Sequence, residues 1–338
     1  MIRYPFLHKG TTIGVTAPSS GVKGPFHEMV KQASDRLKEK GYLVVCGETI
    51  WTQKKAKSAP ATIRAAELNA LLQNEEIGLI LPPWGGDLLI EIVDRIEYKL
   101  IQPKWILGYS DTSMLLLAVT LSTGIATAHG TNLIDIRGEY ADETTAMWET
   151  VLATRSGETV QQFSSKLYQK AWDHEHPSPC VFHLTEPTVW QTTSGNDARI
   201  RGRLLGGCID VIRHLIGTPY GDVRTFHHQF IHCEPIIWYL ENCELSVTDL
   251  RRSLIQMRLA GWFDHCSGIL FGRSDVNKPI DGYVALDVYR ELAEELGVPT
   301  VYDIDCGHVP PQMTFVNGAL AEIEVTNGKA SVMQFFEP

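Results

Sequence analysis

Trp105-Ile106-Leu107-Gly108-Tyr109-Ser110-Asp111-Thr112 runs from a short apolar strand through a Gly-x-Ser turn straight into an apolar helix, Thr112 to Leu121. A strand and a helix joined so tightly belong to a parallel sheet built from βαβ units, with ligands expected at the carboxyl ends of the strands. The sequence on either side repeats the pattern. Upstream, Thr12–Thr16, Tyr42–Cys46 and Gly78–Leu81 read as strands. Helical spacing fills Phe26–Lys40, Ala61–Leu72 and Leu88–Ile96 between or after them. The first half is therefore read as α/β.

The pattern loosens from about Thr154 to Asp197, where Ser, Gln, His and Pro accumulate, as in Asp173-His174-Glu175-His176-Pro177. Beyond it, β-rich runs at Ile200–Leu204, Pro235–Leu240, Ser267–Leu270, Thr300–Ile304 and Leu320–Val325 alternate with helical stretches near Cys208–Leu215, Thr248–Ala260 and Val284–Leu296. With 338 residues, more than one core usually organises, two domains are expected. The division places an N-terminal α/β domain at 1–155, a connecting segment with loops at 156–196 and a smaller α/β domain at 197–338.

Composition narrows the function classes. A net charge of -10 argues against nucleic acid or an anionic membrane as the main partner, because phosphate binding needs clustered Lys and Arg. The first ten residues, MIRYPFLHKG, lack the apolar core of a secretory signal, and no run approaches the ~18 apolar residues of a membrane span. Seven scattered cysteines, Cys46, Cys180, Cys208, Cys233, Cys243, Cys266 and Cys306, contain no CxxC pair and fit reduced thiols in a cytoplasmic protein.

A serine at a sharp strand-to-helix turn is lifted clear of the sheet, over a helix N-terminus that favours developing negative charge. Ser110 is thus a candidate nucleophile, and the N–H of Asp111 a natural donor to an oxyanion. Thr112 stands where the last glycine of GxSxG would be, and Ser110 or Asp111 as a plain helix cap is the competing reading. Pro82-Pro83-Trp84-Gly85-Gly86-Asp87 forms a second strand-end turn, whose glycines allow close backbone approach to a ligand.

A nucleophilic serine needs a base, and the base a carboxylate to orient it. His308, in Asp305-Cys306-Gly307-His308-Val309-Pro310-Pro311, follows a β-rich run and is the candidate base. Glu241, at the end of the Ile236–Leu240 strand, is the candidate carboxylate. His129 lies where it could line the same cleft, though packing explains it as well. His227, His228 and His232 lack the helical i, i+4 spacing of a zinc motif and a matching acid, so they read as a packed or solvated cluster.

Taken in order, these residues resemble the serine peptidases that include murein tetrapeptide LD-carboxypeptidase and the microcin C self-immunity peptidase. The resemblance runs from Gly10-Thr11-Thr12-Ile13-Gly14-Val15-Thr16-Ala17-Pro18-Ser19-Ser20 through Arg64-Ala65-Ala66-Glu67-Leu68-Asn69, Gly85-Gly86 and Gly108-Tyr109-Ser110-Asp111. It continues through Gly202-Arg203-Leu204-Leu205-Gly206-Gly207 and Leu240-Glu241 to Gly307-His308.

The resemblance implies a Rossmann- or flavodoxin-like N-terminal domain carrying Ser110, with oxyanion donors at Asp111 and at Gly85 or Gly86. A smaller domain would supply Glu241 and His308. It also implies a cytoplasmic homodimer with no metal and no cofactor, acting on a small molecule or short peptide. Immunity-type members carry a tryptophan that stacks on adenine, a part that would fall to Trp190 in Glu186-Pro187-Thr188-Val189-Trp190, with local packing as the alternative. Cys208 stands where many relatives have Asn on the substrate side. Asp87 and Leu88 follow Gly85-Gly86 without the longer polar insert of some immunity enzymes. An aminoacyl-adenylate-type substrate is favoured over a murein tetrapeptide. A metallohydrolase using His129 and His308, and a non-catalytic binding protein, are the rival classes.

Overall fold

The computed structural model describes residues 1–171, 178–232 and 234–338. The polar run 173–177 and Cys233 lie outside the described residues. In the first half, β1 (Thr12–Val15), β2 (Leu43–Cys46), β3 (Ile77–Ile80), β4 (Trp105–Gly108) and β5 (Thr127–His129) pair in parallel, in the order β5-β4-β3-β1-β2. That is the flavodoxin-like order, whose reversal between β1 and β3 opens a crevice at the strand ends. Helices α1 (His27–Glu39), α2 (Ala61–Gln73) and α3 (Thr112–Thr123) provide crossovers. Leu89–Arg95, expected as an α-helix, is wound as a tighter 3-10 helix.

A short helix α4 (Met147–Leu152) then leads into β6 (Thr159–Phe163), β7 (Leu167–Gln169), β8 (Leu184–Pro187) and β9 (Gln191–Thr192). The segment read as an irregular connection thus carries four strands. β7 and β8 form their own hairpin-like pair, while β6 and β9 take the two edges of the second sheet. That sheet has the order β6-β16-β15-β10-β11-β12-β13-β9. It is built from β10 (Ala198–Cys208), β11 (Ile236–Glu241), β12 (Cys266–Gly272), β13 (Thr300–Ile304), β15 (Leu320–Thr326) and β16 (Lys329–Phe335), with β10 to β13 parallel and the rest antiparallel. Helices α5 (Ile209–Ile212), α6 (Val223–Gln229), α7 (Val247–Leu259) and α8 (Ala285–Leu296) connect its strands. β14 (Phe315–Asn317) crosses back and adds antiparallel to β5, so the C-terminal half completes the first sheet.

Helix α3 explains how the halves are held. Its sequence, TSMLLLAVTLST, has no polar face, and every residue from Thr112 to Leu121 is buried. One flank meets β4 and β5 of the first sheet, and another meets β10 of the second. A helix apolar all round must be covered all round, and two sheets supply the cover. Leu115, Leu116 and Leu117 are fully buried, each removing enough apolar area from water to contribute ~1.5–3 kcal/mol. The turn that starts α3 is thereby fixed at the seam between the sheets.

Candidate active site

Ser110 occupies the corner between β4 and α3 with φ of 62°, a left-handed conformation unusual for a residue with a Cβ. Such a residue costs of order 1–3 kcal/mol, sustained here by the buried elements on both sides. Asp111 does not cap the helix with its side chain. Its buried carboxylate turns aside to accept hydrogen bonds from the Ser19 hydroxyl and the Leu89 N–H. Burial pushes the Asp111 carboxyl up to about 6, against the pull of those two donors. Ser19 in turn accepts from the Leu88 N–H, and the Ser20 N–H donates to the Gly85 carbonyl at 3.2 Å. The turns after β1, β3 and β4 are thus pinned to one another at one sheet edge.

Gly85 shows how close they come. A Cβ placed on it would lie 2.5 Å from the Ser110 Cβ, 2.7 Å from Oγ and 2.9 Å from the Asp111 nitrogen. Only a glycine lets this backbone reach the serine. Buried Arg64 supports the arrangement from below, donating to the carbonyls of Ala59, Pro18 and Leu88 and to Glu91. Glu67 accepts from the hydroxyls of Thr16 and Thr49 and from the N–H groups of Glu48 and Thr49. The polar positions of the Arg64-Ala65-Ala66-Glu67 motif are therefore anchors for the site's loops.

The second sheet brings the other two groups. Glu241 ends β11 with its side chain fully buried, and its Oε2 accepts at 2.8 Å from Nδ1 of His308, whose ring is 30 % exposed. Gly307, at φ of 95°, makes the approach possible, since a Cβ there would sit 2.5 Å from both Cβ and Oε2 of Glu241. The Gln312 side chain spans the same loop, accepting from the Gly307 N–H and donating to its carbonyl. Burial by itself would push the Glu241 carboxyl up and the His308 imidazole down. The charge and hydrogen bond each offers the other, joined at His308 by the Cys243 thiol, outweigh burial, leaving the carboxyl below its ordinary value and the imidazole well above 6.5.

Ser110, His308, Gly85 and Gly86 line one cleft of about 660 Å³. Its walls include Trp84, Phe26 and Met29, with Lys23 and Arg137 as cations. The size suits a small molecule or short peptide.

Residues 13–130 match the LD-carboxypeptidase N-terminal domain and residues 201–323 the LD-carboxypeptidase C-terminal domain. The chain belongs to the LD-carboxypeptidase family. This is a peptidase family, and its members include proteins of two descriptions. The microcin C7 self-immunity protein MccF of Escherichia coli is 23% identical over 97% of this chain and 94% of its own. A protein named "Probable murein peptide carboxypeptidase" in Bacillus subtilis (strain 168) is 24% identical over 96% of this chain and 92% of its own. Among solved structures, the MccF-like protein from Bacillus anthracis str. Ames superposes with a TM-score of 0.81 at 22% identity, over 99% of both chains. MccF in complex with glutamyl sulfamoyl guanosine gives 0.81 at 21%, over 100% of this chain and 99% of that one. The two-sheet α/β fold is therefore the fold of MccF.

Against that family frame, several candidate residues fall outside the cleft. Trp190 is 1% exposed, packs with Ile200, Val301 and Ile323 in the core of the second sheet and donates its indole N–H to Asp305 at 2.9 Å. In this structure it is a packing anchor, the alternative that the sequence left beside stacking. Cys208 is buried at the end of β10, beside Glu241 in the strand register, with its N–H on the Ser113 hydroxyl. Its side chain does not line the cleft, although it comes close to His308, which does. His129 is buried between the Tyr109 and Tyr239 rings, and burial drives it down to about 4, so it packs as a neutral ring. His227 stacks on His265 at 3.7 Å and bonds the Glu234 carbonyl through Nε2, which accounts for it without an ion.

The cleft also contains residues the sequence reading left unassigned. Asn132 lines the cleft and accepts from the Tyr109 N–H at 3.3 Å, and its own N–H donates to Asp135. Burial pushes Asp135 up to about 6. Asn132 and Asp135 fall in Thr131-Asn132-Leu133-Ile134-Asp135, where the spacing of Asn and Asp at three residues was the available signal for a reciprocal cap.

Proposed function

We propose that this protein is a serine peptidase that hydrolyses an amide bond, with Ser110 as nucleophile, His308 as base and Glu241 as the carboxylate that orients it. The observation that carries the reading is the shared cleft. It contains a serine held in a left-handed turn and a histidine tied at 2.8 Å to a fully buried carboxylate. In this mechanism the Ser110 hydroxyl attacks the amide carbonyl carbon while His308 takes its proton. The tetrahedral oxyanion is met by the N–H of Asp111 and by that of Gly85 or Gly86, and such a donor typically stabilises the transition state by ~3 kcal/mol. His308 passes the proton to the leaving amine as the C–N bond breaks, and water, deprotonated by His308, then hydrolyses the acyl-enzyme. The division of labour follows the proposed domains, 1–155 for nucleophile and donors and 197–338 for base and carboxylate.

The favoured substrate is an aminoacyl or peptidyl group in amide linkage to an adenylate-type antibiotic. Trp84, Phe26 and Met29 offer apolar surface for a base, and Lys23 and Arg137 suit an anionic group. The complex of MccF with a sulfamoyl nucleoside supports this choice. A second reading, release of a terminal D-amino acid from a murein tetrapeptide, is supported by the Bacillus relative and by the same cationic pair, which suits a terminal carboxylate. Either role fits a cytoplasmic homodimer, and among the described residues no helix is long and apolar enough to cross a membrane.

The test is a paired hydrolysis assay read by mass spectrometry, with an aminoacyl sulfamoyl adenylate and a murein tetrapeptide as substrates and Ser110→Ala as control. Cleavage of the first alone supports antibiotic detoxification, and release of D-alanine alone supports cell-wall recycling. An alanine variant as active as the parent on either substrate overturns the serine mechanism.

A further inference from the structure

Cys208 and Cys243 have no part in the hydrolysis proposed above, yet they stand against its base. Each Sγ and one ring nitrogen of His308 all lie within 4.8 Å of one another. The two sulfurs are 3.9 Å apart. Two thiolates on one tetrahedral zinc ion, with Zn–S bonds of ~2.3 Å, stand ~3.8 Å from each other. A disulfide would require ~2.05 Å. The observed spacing, that of two thiols in hydrogen-bonding contact, also admits a shared metal ion and is too long for a covalent bond.

The surroundings are organised for a cation. Asp210 accepts from the Cys208 thiol at 3.4 Å and from the Cys243 N–H at 3.1 Å through one oxygen. Its other oxygen accepts from the N–H groups of Glu244 and Leu245 at 2.8 and 3.1 Å. This carboxylate fixes the turn that presents Cys243, while β10 fixes Cys208 beside Glu241. Glu241, fully buried, sets its carboxylate beside the Cys208 thiol as well as His308. Buried carboxylates on two sides of the thiols favour positive charge between them. Cys243 and His308 are only partly buried, which gives an ion a way in.

We propose that Cys208, Cys243 and His308 form an inhibitory site for a zinc-class divalent cation, whose binding takes His308 out of use as the base. The donor set, two thiolates and an imidazole, is the kind that selects zinc over magnesium or calcium. On binding, each thiol and the His308 imidazolium give one proton to solvent, and two metal–sulfur bonds and one metal–nitrogen bond form with no change of oxidation state. The inhibitory half of the proposal rests on His308 being the base, whereas the binding half does not.

The test uses the full-length protein with reduced thiols and Co²⁺ as the probe. The expected result is a thiolate-to-cobalt charge-transfer band with the visible bands of tetrahedral cobalt, saturating at one ion per chain and bleached by Zn²⁺. Cys243→Ser and Cys208→Ser should each lose that band while keeping the circular dichroism spectrum of the parent. In the amide hydrolysis assay, Zn²⁺ should abolish turnover of the parent and EDTA restore it. Cys243→Ser, measured against its own metal-free rate, should resist the same Zn²⁺ concentration. Absence of the band in the parent, or its persistence in Cys243→Ser, overturns the site. So does loss of both thiols as a dithiothreitol-reversible disulfide in place of metal binding. A cobalt band with hydrolysis untouched overturns the inhibition. If no amide substrate is cut even with EDTA present, the serine-peptidase reading fails on its own, and the cobalt spectrum still decides the metal site.

Discussion

The two halves of the candidate site are held by different physics. Ser110 owes its position to backbone geometry: a left-handed corner, a glycine pressed against it, and a wholly buried helix behind it. His308 owes its position to charge, chiefly a buried carboxylate at 2.8 Å that with the Cys243 thiol outweighs the cost of burial. The serine side therefore tolerates little change in shape, and the histidine side little change in charge. Each of the following experiments separates those sensitivities.

Ser110→Ala should have the largest effect, removing hydrolysis by about 10⁶-fold in kcat, as loss of a triad nucleophile does elsewhere. Its thermal unfolding midpoint should stay near that of the parent, because the strained backbone is kept. Glu241→Gln should lower kcat by ~10⁴, the effect of replacing the orienting carboxylate with an amide. Its pH–rate profile carries the sharper information when measured with a chelator present. The base must be neutral, and His308 titrates well above 6.5, so parent kcat/KM should climb with pH beyond that point. Removing the negative charge should move this limb to lower pH. A limb that stays put would show that charge does not hold the histidine side.

The same pair makes a linked stability prediction. His308, raised in the folded state, contributes fully below pH 6.5 and loses its contribution as pH rises through the folded value. Glu241, lowered, contributes above 4.5 and loses its contribution as pH falls through its own folded value. The difference in unfolding free energy between parent and Glu241→Gln should therefore be greatest between pH 4.5 and 6.5, as read by urea titration.

Gly85→Ala tests shape alone. The added methyl meets Ser110 and the Asp111 nitrogen, and displacing one oxyanion donor should lower kcat by ~10²–10³ with the pH profile unmoved. Trp190→Phe should have the smallest effect on turnover. It removes the N–H that Asp305 accepts, costing about 2 kcal/mol of stability for a hydrogen bond to a charged group, with KM unchanged. A large rise in KM with little loss of stability would return Trp190 to the substrate and contradict its packing role.

The same contrast explains what could be read in advance. The elbow was legible because it is local: β4, the turn and α3 are contiguous, and the apolar run from Met114 to Leu121 announces a buried helix. The four strands between Thr159 and Thr192 were not, because edge strands such as β6 keep alternate side chains in water and carry no strong apolar period. Trp190 kept two readings open for a related reason, since an indole in a polar segment can serve as a ligand platform or as an anchor until the core around it is assembled.

Sequence alone determined the parallel α/β plan and the sharp turn at Ser110, and it offered Glu241 and His308 as candidates by their positions at strand ends. These follow from periodicity and turn chemistry, which act over a few residues. Tertiary structure decided which groups meet. Glu241 and His308 are 67 residues apart along the chain, and the thiols of Cys208 and Cys243 are separated by 35. Their contacts depend on the parallel register of β10 and β11, the return of the chain after β13 and the bend at Gly307. Long-range pairing is set by the packing of whole sheets, and no local pattern encodes it.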